Sequence, residues 1–167
     1  HDFAQISGLI GIRYVNWEEL LTISALDNDG DISDYDLGTS NNLYGGQLGL
    51  RLARRGPHLN WEFTGKAGIF GNDAQQRQTL MDNNTIVVRS VGSRESGVSF
   101  VGDANLSAHC PLNRVWSVRA GYNVIWLTGL GFAADQVDFT NELNSGTTLD
   151  RDGTVVVHGL NVGLEAL

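Results

Sequence analysis

The chain has 167 residues, 21 of them glycine and only 2 proline, with a formal net charge of −8. So acidic a chain lacks the basic face that a phosphate backbone requires, which excludes nucleic acid as a partner. Its length suits one domain, residues 1–167, and no run of about eighteen apolar residues is present to make a spanning helix.

The dominant signal is a period of two, the mark of strands. Ile6, Gly8, Ile10, Ile12 and Tyr14 alternate with Ser7, Leu9, Gly11 and Arg13, predicting a first strand over residues 6–14. The polar stretch DNDGDISDYDLGTSN then reads as a long loop. In it Asp27, Asp29, Asp31, Asp34 and Asp36 set hard oxygen ligands close together, which suits calcium. The glycine comes too early for an EF-hand and no glutamate closes the loop, so a solvated acidic loop is the competing reading.

Residues 42–54 resume the alternation, with Tyr44, Gly46, Leu48, Leu50 and Leu52 against Gly45, Gln47, Gly49 and Arg51. After the tight turn RRGPH, a third strand over 59–69 sets Leu59, Trp61, Phe63, Ala67 and Ile69 against Asn60, Glu62, Thr64 and Lys66. Pairing Arg54 with Leu59 across this turn would place Arg51 opposite Glu62, Gln47 opposite Lys66, Leu52 opposite Trp61 and Leu50 opposite Phe63. GNDAQQRQTLMDNNT is a second long connection, which strand extensions could enter. Residues 98–108 form a fourth strand, with Val98, Phe100, Ala104 and Leu106 on the apolar face and Asp103 and Asn105 on the other.

Across the short turn HCPLNR, WSVRAGYNVIWLTGLGF at 116–132 carries Trp116, Val118, Tyr122, Val124 and Trp126 on one face and Arg119 and Asn123 on the other. The segment ADQVDFTNELNSGTTLDRDG separates it from a last strand over 156–166, where Val156, His158, Leu160, Val162 and Leu164 oppose Asn161 and Glu165.

Connections that run long, short, long, short, long describe an antiparallel up-and-down meander of about six long strands. The fold class is therefore all-β, as part or all of a transmembrane β-barrel, because closed strand pairing satisfies the backbone where lipid offers no hydrogen bonds. The polar faces then become lumen-facing, which assigns Arg13, Gln47, Arg51, Glu62, Lys66, Asp103, Asn105, Arg119, Asn123, Asn161 and Glu165 to the interior. Aromatics near the ends of the apolar faces fit interfacial girdles. A soluble sandwich or ligand-binding barrel would turn the same faces the other way.

Four segments carry a resemblance. GIRYVNWEE at 11–19, NNLYGGQLGLRL at 41–52, GKAGIFGN at 65–72 and RAGYNVIWLTGL at 119–130 resemble, in order and spacing, the recurring segments of the large planctomycete family of outer-membrane β-barrel proteins. The resemblance implies an outer-membrane barrel and brings no enzymatic activity. Chains of that family are longer, so this one corresponds to their C-terminal part. Six strands fall short of the eight that usually close a membrane barrel, so further strands are expected from a preceding segment or from other copies. The last strand, GLNVGLEAL, alternates as an outer-membrane assembly signal does but ends in Leu167 rather than an aromatic.

Chemical motifs are sparse. His1, His58, His109 and His158 show no zinc spacing, with His158 read as a satisfied residue near the outer interface, and no nucleophile elbow or phosphate loop is present. Cys110 is a lone thiol, either free or bridged to a partner. The expectation is a non-enzymatic, porin-like or structural envelope component in the bacterial outer membrane, with no cofactor beyond the candidate calcium and the lipid bilayer as its partner. An extracellular protein that self-assembles into a tube or filament is the alternative.

Overall fold

The computed structural model describes residues 3–26, 32–56, 58–82, 86–113, 115–140 and 145–166. Six strands, β1 (Phe3–Leu26), β2 (Ile32–Arg55), β3 (Asn60–Asp82), β4 (Ile86–Pro111), β5 (Trp116–Leu130) and β6 (Gly153–Ala166), form one antiparallel sheet in sequence order. Apart from a single 3-10 turn at Ala134–Gln136, no helix occurs among the described residues. The sheet is open: β1 and β6 each keep one edge unpaired, as in part of a barrel wall.

The sheet curls. Arg13 on β1 reaches Asp103 on β4 at 2.6 Å although two strands lie between them, so the face they share is concave. Glycines on that face let β2 and β3 approach closely. A Cβ at Gly45 would overlap the Ile69 carbonyl oxygen and the Phe70 ring, and one at Gly68 would overlap the Gly46 carbonyl oxygen.

Register turns the separate alternations into continuous bands. One row across the convex face runs Ile12, Gly46, Ile69, Phe100, Thr128, and the next runs Ile10, Leu48, Ala67, Gly102, Trp126, Val156. Most of the aliphatic side chains on this face stand in the open, Ile12 94% exposed and Leu160, in a neighbouring row, 72%. The band spans about ten residues per strand, which at roughly 3.3 Å each and a tilt near 40° gives about 25 Å, the height of the apolar belt of outer-membrane barrels.

Two expectations are corrected. The β2–β3 hairpin pairs Arg54 with Trp61 rather than with Leu59, a shift of two residues. Arg51 therefore faces Thr64, Gln47 faces Gly68, Leu52 faces Phe63 and Leu50 faces Gly65. Because the shift is even, every side chain keeps its predicted face, and Arg51 still reaches Glu62 diagonally at 2.5 Å. The shorter pairing would make Gly56-Pro57 a two-residue turn, and proline cannot take the positive φ that a type I′ turn needs at its second position; the wider turn lets Asn60 Oδ1 accept from the Gly56 N–H at 3.1 Å.

The long connections are mostly strand. β1 and β2 each run 24 residues, so ISDYDLGTSN is β2 rather than loop, and β3 takes up the second connection as far as Asp82. Beyond the belt the convex face turns polar, with rows such as Glu18, Ser40, Gln75, Arg94, so the apolar alternation stops while backbone pairing continues. Only the segment between β5 and β6 remains a long connection.

Candidate functional site: the concave face

The concave face divides into a charged lower chamber inside the belt, an apolar septum, and an upper part filled by the β5–β6 segment.

The predicted interior residues all stand on this face, by strand alternation. Asp103 lies between two cations, Arg13 at 2.6 Å and Lys66 at 3.7 Å. Arg51 pairs with Glu62, and Glu165 takes Arg119 at 3.9 Å and His109 at 3.5 Å. Asn105 donates to Asn123. Gln47 and Asn161 lie over glycines instead, with the Gln47 stem above Gly68 and the Asn161 amide filling the space a Cβ at Gly121 would need.

Above this chamber Leu43, Phe70, Val101, Leu127 and Leu130 form a buried cluster, joined by Val15, Trp17, Ile125, Phe132 and Val155. β5 ends here at a bulge where Gly129 adopts φ 75°, a left-handed conformation that glycine tolerates. Its carbonyl accepts from Asn72 Nδ2 and Ser99 Oγ, each at 2.9 Å, and the chain then turns onto the concave face.

Beyond this turn, side-chain amides clamp the loop backbone. The Asn41 amide pairs in both directions with Gly131, donating to its carbonyl at 2.9 Å and accepting its N–H at 2.8 Å. Gln76 donates to the carbonyls of Gly146 at 3.0 Å and Thr148 at 2.6 Å, and Gln78 donates to the Gln136 carbonyl at 3.0 Å. Glu19 accepts the Ala133 N–H at 3.0 Å, and Arg89 donates to the carbonyls of Asp138 at 2.7 Å and Thr140 at 3.0 Å. Asn41, Asn72, Gln76 and Gln78 are buried. Such groups are tolerated inside a protein where their hydrogen bonds are made, as they are here except at Asn72 Oδ1, which has no partner among the described residues.

Within the segment, Asp138 gathers the Thr140 hydroxyl at 2.5 Å, the Thr140 N–H at 2.9 Å and the Gly146 N–H at 3.2 Å. The hydrogen bond from the Thr140 hydroxyl, then that from its N–H, holds the Asp138 carboxyl below its ordinary range, against some desolvation and with Arg89 adding to the effect.

Sequence reasoning missed this clamp, since it placed Asn41, Asn72, Gln76 and Gln78 in or beside connections. One signal was available: Asn72, Gln76 and Gln78 share parity along the chain.

The candidate calcium ligands divide. Asp27, Asp29 and Asp31 lie outside the described residues, whereas Asp34 and Asp36 are on β2, where Thr22 Oγ1 donates to Asp36 Oδ1 at 2.6 Å. Among the described residues no three His, Cys, Asp or Glu side chains gather as a metal site. His158 lies mid-belt rather than near the interface, because its row contains Val124, Ala104, Gly65, Leu50 and Gly8, and its Nδ1 meets the Tyr122 hydroxyl at 2.7 Å. Cys110 is free and half-buried on β4.

Comparison with curated proteins and with solved structures gave no match. Comparison with protein families gave one described as putative beta barrel porin-7 (BBP7), which matches residues 1–166. An open, curled meander with an apolar convex face and a charged concave one agrees with part of a barrel wall, and the chain belongs to the beta barrel porin-7 family.

Proposed function

We propose that the chain forms a wall of an outer-membrane porin, with the belt in lipid, the charged chamber lining a water-filled passage, and the β5–β6 segment narrowing the passage at its outer end. The observation that carries this reading is the continuous apolar band on the convex face, about 25 Å tall by the spacing of strands, backed by paired charges on the concave face. A soluble barrel would put its aliphatic residues on the concave side. The role is passage across the envelope rather than catalysis, with the lipid bilayer as the partner of the convex face.

Localisation and conduction test it together. The full-length protein is expected in the detergent-extracted outer-membrane fraction and, reconstituted in planar bilayers, should give discrete current steps. Recovery as a detergent-independent soluble particle would refute the reading. The unpaired edges of β1 and β6 favour one elaboration: with six strands the two edges run antiparallel, so strands from the same polypeptide or from another copy could close the wall. Cysteines placed on the β1 and β6 edges, cross-linked and weighed, distinguish the two sources.

A further inference from the structure

We propose, building on the pore reading, that the lower chamber passes small anions in preference to cations. The chain as a whole is strongly acidic, yet this face is not. Among the described residues five basic side chains stand on the concave face within the belt, Arg13, Arg51, Arg55, Lys66 and Arg119, against three acidic ones, Glu62, Asp103 and Glu165. The surplus is two positive charges.

The geometry shows where the surplus sits. Asp103 is shared by Arg13 and Lys66, whereas Glu62 takes Arg51 and Glu165 takes Arg119, so the surplus sits beside Asp103 and at Arg55. Arg55 extends the row of Asn60, His109 and Arg119 at the turn end, and that row contains no carboxylate. Arg51, Arg55 and Arg119 line one cavity of about 390 Å³ at that mouth.

Among the described residues the remaining carboxylates lie beyond the belt, away from the chamber. Glu18, Asp34, Asp36 and Asp73 are on the convex side of the sheet beyond the belt. On the concave side, Glu19 is engaged by the Ala133 N–H and Glu95 by Arg151 at 3.2 Å, both beyond the septum. At physiological ionic strength charges are screened over about 8 Å, much less than the belt's height, so the ions in the chamber respond to its own walls. A narrow passage with low-dielectric walls strengthens that local field.

The test is the reversal potential of the reconstituted full-length protein under a tenfold KCl gradient. The expected result has the sign set by chloride. Combining Arg51→Gln, Arg55→Gln and Arg119→Gln should carry it toward or past zero, and Arg55→Gln alone, at the strand end, should shift it in the same direction should the triple variant not assemble. Arg77→Gln removes the same charge from the convex face and should leave the potential where it was. Potassium preference in the unaltered protein, or an equal shift from Arg77→Gln, overturns the proposal while leaving the pore intact. An inserted, folded barrel that carries no current overturns the pore reading and this proposal with it.

Discussion

Val124 and Asn123 are neighbours in the chain and opposites in surroundings, the first in the convex row with His158 and Ala104, the second on Asn105 across the concave face. Val124→Arg puts an unpaired cation into the belt at a cost of about 2–4 kcal/mol near the bilayer midplane, and is expected to block insertion into the outer membrane. Asn123→Arg adds its charge to a face that already carries several and should assemble. Heat-modifiable mobility of the two variants on gels checks this, and equal behaviour would remove the face assignment. At this scale the sequence was readable inside the belt, where an apolar face and a polar face force strict alternation. It misplaced the Arg51 partner because pattern fixes parity but not which of two equal-parity registers the turn prefers.

Among the elements, the strand extensions and the β5–β6 segment hold each other. The extensions of β3 and β4 were illegible as strands because both their faces are largely polar, whereas those of β1 and β2 hide an apolar concave face, Leu21, Ile23, Tyr35 and Leu37 packed with Ala133, among acidic and hydroxyl residues that read as loop. Gln76→Leu keeps the bulk of the side chain but leaves the carbonyls of Gly146 and Thr148 without their donor. An unsatisfied buried acceptor costs about 1–3 kcal/mol, so trypsin should cut after Arg151 faster than in the unaltered protein. The Asp138 latch adds a pH dependence of known sign. Since its folded pKa is lowered, its contribution is full above the ordinary carboxylate value of 3.8 and is lost only as the pH falls through the lowered one. Cleavage of the segment by pepsin should therefore stay slow down to about pH 4 and rise below it, and Asp138→Asn should remove that rise by making the segment labile throughout.

For the whole molecule, curvature is set by the few concave positions that lack a side chain. Gly45→Ala forces a methyl against the Ile69 carbonyl and the Phe70 ring. Overpacking of this kind costs about 1–3 kcal/mol, and the urea midpoint of the refolded protein should drop accordingly. Passage through the wall makes a separate prediction: replacing residues 135–148 by a short Gly-Ser linker should raise single-channel conductance, and an unchanged conductance would show that the segment does not narrow the path.

The strands also differ in height. β1 to β4 rise some ten residues above the belt, while β5 stops at Leu130 and β6 starts at Gly153, close to its rim. The wall is thus a hood over a sill. In the pore proposed above, a solute entering at this end is shielded on the four-strand side and meets the clamped segment from the low side first, so the mouth has a preferred azimuth. A bulky ligand or antibody bound above β5 and β6 would obstruct it, whereas the same mass on the convex face of β2 and β3 would not.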